Sequence, residues 1–250
     1  MNENINLPSI KDVTDSAWQN LSKQRIYFGH QSVGDNILEG INSLMADNEK
    51  IKLDIKNYND METFAFPVFS QSYIGKNEDI DSKLQEFSKN ISGIKGGQLD
   101  IAFMKLCFWD IKRYSDVNEI FEKYKKAMSE LKNDYPNTKF IYLTIPLMSH
   151  SNSIIDNLKR LIRPDNGDLD NIKRNELNKL IVHEYKGKEP LFDIALIEST
   201  RPDGKRAVFL YAGKEYYYLP DEYTNDGGHL NKYASKYVAE QLLIMLANIH

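Results

Sequence analysis

The chain has 250 residues, 41% of them hydrophobic and 11% aromatic, with 36 acidic against 32 basic side chains and a net charge of −4. That much apolar material excludes global disorder, and the lack of any long run of one sign excludes the basic stripe that nucleic acid as the main partner would require. The single cysteine, Cys107, excludes an intrachain disulfide and a multi-cysteine zinc site. No apolar run approaches the ~20 residues of a membrane span. The N-terminal stretch lacks the basic and apolar regions of a signal peptide. Location therefore reads as cytoplasmic by default, and as exported if a leader has been removed.

Residues 1–24 are polar and read as an N-terminal extension. A short helix around Ser16–Leu21 packs it on the body through Trp18 and Leu21. Ile26, Tyr27 and Phe28 form a short β-prone run. From Val33 the period changes, with Val33, Ile37, Ile41 and Leu44 at helical spacing. Ile51–Lys56 alternates apolar and polar, as a half-buried edge strand does. Residues 57–78 show no sustained period and read as a long loop rich in aromatics, Phe64, Phe66, Phe69 and Tyr73 among them. A helix opens at Asp79 and is ended by Gly93, Gly96 and Gly97.

Leu99–Phe108 reads as a central strand. Val117–Tyr135 is an amphipathic helix stopped by Pro136, and Lys139–Ile145 is a further strand. Residues 149–170 are polar and read as a lid with some helix. Ile172–Tyr185 is helical, Leu191–Glu198 is the fifth strand, 206–219 is a β-hairpin, and the last helix runs from Leu230 to Ala247. Strands alternating with helices predict a three-layer α/β/α, flavodoxin-like fold. Its sheet is expected to be parallel and about five-stranded, in the order 2-1-3-4-5. With no repeat and no linker, residues 1–250 read as a single domain.

Two stretches offer chemistry. Ser32, in Gly29-His-Gln-Ser-Val-Gly34, sits between the end of a strand and the start of a helix, where free backbone N–H groups converge. It is either a helix cap or a nucleophile whose oxyanion meets those donors. Asp226 and His229 lie three apart across two glycines, Asp226-Gly-Gly-His229. A loop that tight lets the carboxylate fix the imidazole tautomer and leaves Nε2 free as a base for Ser32. The plainer reading is an ordinary turn before a helix.

Together these blocks make the chain resemble the SGNH/GDSL hydrolase superfamily, as a divergent branch, over roughly residues 25–248. In that family a nucleophilic serine follows the first strand and an Asp-x-x-His block precedes the last helix. The resemblance implies a serine esterase acting on a small acyl ester, often an acetyl ester of a carbohydrate, through Ser32, His229 and Asp226 and without a cofactor. It also implies an oxyanion hole. Here Ser32 and Gly75 supply the N–H donors, and Asn77 adds a side-chain donor. His30, Gln31 and Lys105 are the neighbouring candidates for substrate binding.

The chain departs from the family pattern in two places. His30 and Gln31 stand where one aspartate is usual, and the strand ending Lys105-Leu-Cys-Phe-Trp-Asp110 lacks the usual asparagine. Asn77 or Lys105 then has to substitute. These departures keep open a carbohydrate-binding or scaffold domain of weak catalytic power. A third reading is a metallohydrolase that uses His30, Asp226 and His229 as ligands. Cys107, inside an apolar strand, reads as inert packing. The Tyr216–Tyr218 run reads as cross-strand packing, with sugar stacking as its alternative.

Overall fold

The computed structural model describes residues 4–61, 63–95, 97–150 and 167–249. Among the described residues six strands form one sheet: β1 (Arg25–His30), β2 (Ile55–Asn57), β3 (Val68–Tyr73), β4 (Ile101–Met104), β5 (Lys139–Leu143) and β6 (Leu191–Phe192). Their order is β2-β3-β1-β4-β5-β6, and every neighbouring pair is parallel. The α-helices among the described residues are α1 (Asp15–Leu21), α2 (Val33–Asp47), α3 (Ile80–Ser92), α4 (Val117–Asp134), α5 (Asp168–Tyr185), α6 (Ile194–Ser199) and α7 (Lys232–Asn248). Side chains of α1, α2, α6 and α7 bury one face of the sheet. Those of α3, α4 and α5 bury the other. The result is the three-layer α/β/α architecture, because a parallel sheet has to be covered on both faces.

The order β3-β1-β4-β5-β6 keeps the pattern 2-1-3-4-5, but a different segment fills the second position. The stretch 57–78, expected as loop, supplies β3, and the half-buried strand expected over Ile51–Lys56 shrinks to the edge strand β2. The reason lies in two serines. Ser70 donates to the Ile26 carbonyl at 2.9 Å, and Ser72 bonds the Tyr27 hydroxyl at 2.9 Å. Both are buried. A strand buried on both faces was thus hidden by polar residues that find partners on β1. At the other edge, the expected fifth strand stops at Phe192. Asp193 accepts the Leu196 N–H at 3.1 Å and turns Ile194–Ser199 into a helix.

The hairpin lies where expected, as β7 (Val208–Tyr211) and β8 (Lys214–Tyr217). Its two turn residues, Ala212 and Gly213, both have positive φ. Tyr216 and Tyr218 are buried with Phe209, and the guanidinium of Arg206 lies 3.2 Å from the centre of the Tyr217 ring. The N-terminal helix α1 is capped by Thr14 and buries Trp18 and Leu21. Most of the lid reading, residues 151–166, lies outside the described residues, as does Gly96. Among the described residues no helix is long and apolar enough to cross a membrane.

Candidate active site

The carboxyl end of β1 runs directly into α2, and the turn between them is tight. A Cβ at Gly34 would lie 2.3 Å from the His30 ring, so only glycine lets the first turn of α2 rest on that imidazole. Ser32 stands between the two with φ 51° and ψ −97°, a conformation that a non-glycine residue adopts only under constraint. It occupies the cap position of α2 yet its side chain caps nothing. Its hydroxyl instead lies 2.8 Å from Nε2 of His229, 197 residues away in the chain.

His229 belongs to the loop that enters α7. On the far side of its ring, Nδ1 lies 2.6 Å from Oδ2 of Asp226. A carboxylate only accepts, so Nδ1 carries the proton and Nε2 is left to accept from the Ser32 hydroxyl. The other oxygen of Asp226 accepts the N–H groups of Gly228 at 3.0 Å and His229 at 2.8 Å. Burial pushes the Asp226 carboxyl up. The Gly228 N–H, the His229 ring and the His229 N–H together outweigh it and hold the group well below the usual carboxylate range. Thr224 bonds the Gly227 N–H at 3.0 Å and completes the loop. The edge of the Phe108 ring meets the imidazole at a centroid distance of 5.6 Å. The His229 side chain is 42% exposed and that of Asp226 55%, so the arrangement opens to solvent.

The other expected site residues are placed differently. His30 is fully buried; its Nε2 is 2.9 Å from Oε1 of Gln71 and its ring stacks on Phe28. It reaches neither Asp226 nor His229, so the three do not form a ligand set. Among the described residues no group of three or more His, Cys, Asp or Glu side chains is disposed to hold a metal. Gln31 faces inward, its amide donating to the carbonyls of Ile74 and Gly75. Lys105 is fully buried, with its ammonium 3.3 Å from the Leu106 carbonyl and 3.5 Å from the Cys107 sulfur. Of these three, His30 and Lys105 are fully buried and Gln31 is half-buried.

Gly75 is a correction of another kind. Its N–H donates to the Glu86 carboxylate at 2.7 Å. The reason is peptide geometry. The Ile74 carbonyl faces Gln31, and in a trans peptide the following N–H points the opposite way, toward α3. Glycine is needed here for space. With φ +54°, a Cβ would lie 2.5 Å from the Lys83 backbone nitrogen. Asn77, two residues on, is exposed, and its Oδ1 accepts from the Lys83 ammonium at 3.1 Å.

Three residues at the site escape the sequence reading. Asn36, one turn after Ser32, accepts the Leu230 N–H at 3.1 Å. Its spacing of four from Ser32 on a helix is the one signal that could have singled it out. Lys83 and Asp110 form a fully buried ion pair beside the loops that follow β3 and β4. Nothing local in the sequence marks either of them.

The chain matches no protein-family model and no curated protein. Several solved structures are similar to it. One is the acetyl xylan esterase AlAXEase, at 16% identity and a TM-score of 0.47, covering 87% of this chain and 96% of that one. Another is an acetyl esterase mutant with acetate ion, at 15% identity and a TM-score of 0.44, covering 87% and 92%. A third is the periplasmic domain of the lipopolysaccharide acetyltransferase of Salmonella ser. Paratyphi A, at 10% identity and a TM-score of 0.44, covering 89% and 85%.

Proposed function

We propose that the protein is a serine hydrolase of SGNH type that cleaves a small acyl ester, with residues 1–250 forming one hydrolase domain on which residues 1–24 pack as an extension. The observation that supports it most is the side chain of Ser32. At a cap position, it turns from the helix to an imidazole nitrogen 2.8 Å away, with Asp226 bonded to the other nitrogen at 2.6 Å. A serine is a weak nucleophile until a base takes its proton, and this is the geometry such a pair needs.

Ser32 Oγ attacks the ester carbonyl carbon while His229 Nε2 takes its proton. Asp226 stabilises the imidazolium that forms and does not itself become protonated. The negative charge on the carbonyl oxygen is met by the Ser32 N–H and by the amide of Asn77. The tetrahedral intermediate collapses, the alcohol leaves with the proton from His229, and an acyl group remains on Ser32. Water then attacks the acyl carbon, again losing its proton to His229. The carboxylic acid leaves and the proton returns to Ser32. A carbohydrate acetate is the substrate class we favour, since the site opens to solvent.

The Gly75 N–H, spent on Glu86, favours a second reading, in which the fold is a carbohydrate-binding or scaffold domain of weak catalytic power. Turnover of a small chromogenic acetate ester separates the two. The enzyme reading expects hydrolysis by the wild-type protein that is lost in Ser32→Ala. A folded wild type that leaves the ester intact supports the binding domain.

A further inference from the structure

Lys83 and Asp110 are completely buried, yet the mechanism above uses neither. Lys83 lies in the first turn of α3, and Asp110 ends the short turn Phe108–Asp110 that follows β4. The ammonium donates to both oxygens of Asp110, at 2.7 and 2.6 Å, and to Oδ1 of Asn77 at 3.1 Å. The carboxylate also accepts the Cys107 N–H at 2.6 Å and the Glu78 N–H at 2.9 Å. The pair thus joins the loop after β3 to the loop after β4. Both loops bear on the residue before Ser32. Gln31 donates to the Ile74 carbonyl at 2.9 Å, and the Cys107 sulfur lies 4.0 Å from the Gln31 carbonyl.

A buried ion pair is a poor device for stability alone, since apolar residues of similar volume often serve as well or better. Its value here is directional. An ammonium has donors and no acceptor, whereas a primary amide has one end of each kind. Lys83 can hold Asn77 only by its oxygen, which turns the NH2 group away from the ammonium. A fixed N–H donor beside the serine is what a developing oxyanion requires, and Gly75 does not supply one.

We propose that Lys83, itself fixed by Asp110, is a positioning residue that sets Asn77 with its NH2 group toward the oxyanion. This rests on the serine hydrolase reading. The test is a double-mutant cycle on a small acetate ester. It compares wild type, Asn77→Ala, the pair variant Lys83→Met with Asp110→Asn, and all three changes together, with a thermal melt to establish folding. Asn77→Ala and the pair variant are each expected to lower kcat about 10²-fold, with KM little changed. The triple variant is expected to lose no more than either, because all remove one unit. Losses that multiply, or a pair variant with wild-type kcat, overturn the assignment.

If the pair variant does not fold, Asn77→Asp on the exposed residue decides. It still binds Lys83 but presents an acceptor where the donor stood, so kcat falls at least as far as in Asn77→Ala without loss of thermal stability. Unchanged kcat overturns the proposal. A wild type that hydrolyses no ester overturns the serine hydrolase reading itself, and this assignment with it.

Discussion

The side-chain carbonyl of Asn36 accepts the backbone N–H of Leu230 at 3.1 Å and so ties the helix that begins after Ser32 to the loop that holds His229. The tie fixes the distance between two groups from opposite ends of the chain. Asn36→Ala is expected to lower kcat by roughly 10–10²-fold through a small misplacement of the pair, with KM little changed. Steady-state kinetics checks this, and wild-type kcat in that variant would contradict it.

The same two helices set a second constraint. α2 and α7 form the most extensive contact between described elements. At Gly40 a Cβ would lie 2.2 Å from the Ser235 carbonyl oxygen and 2.7 Å from the Ala239 Cβ. Backbone cannot give way as a flexible side chain does. Gly40→Ala is expected to cost about 1–3 kcal/mol, as overpacking does, and to lower Tm by about 2–12 °C for a chain of this size. A thermal melt with unchanged Tm would contradict the packing argument.

Much of the fold was legible from period and punctuation. α4 follows from its apolar stripe and Pro136, and β1 and α2 follow from the change of period after Ser32. β3 was not legible, because Ser70 and Ser72 look polar in sequence and become core residues only through bonds to β1. The Leu191–Glu198 run hid the cap at Asp193, since a short apolar run does not distinguish strand from helix. At the site, Ser32, Asp226 and His229 could be picked out because each stands at a turn with its own local pattern. Lys83 and Asp110 could not, since burial of a charge depends on partners 27 residues apart. Which way the Gly75 N–H points is likewise a property of one peptide plane, invisible in the residue name.

His30 gives a stability signature in acid. Burial, opposed in part by Gln71 and Asp35, lowers its imidazole to about 4 from the ordinary 6.5. As pH falls below about 6.5 the unfolded chain takes up the proton first, so stability present above that value is lost progressively down to about 4. The slope approaches about 1.4 kcal/mol per pH unit within that window. Denaturant unfolding of wild type and His30→Gln between pH 7 and pH 4 checks this. The variant is expected to show a shallower decline, and parallel curves would contradict it.

The Lys105 side chain is fully buried, its ammonium near the Leu106 carbonyl and the Cys107 sulfur. Lys105→Met is therefore expected to leave KM unchanged and to match or exceed wild-type stability, because a buried ammonium is exchanged for an apolar group of similar length. A rise in KM with intact folding would return Lys105 to the substrate site.

The central claim is that Ser32 is a nucleophile because His229 is beside it. The most direct measurement is labelling by a fluorophosphonate probe, read as a mass shift on the tryptic peptide that runs from Ile26 to Lys50. The account predicts a label on Ser32 in the wild-type protein, none in a folded His229→Ala, and slow labelling in Asp226→Asn, where the imidazole loses its preferred tautomer. A folded wild-type protein that takes no label at Ser32, or a His229→Ala variant that labels at the wild-type rate, would contradict it.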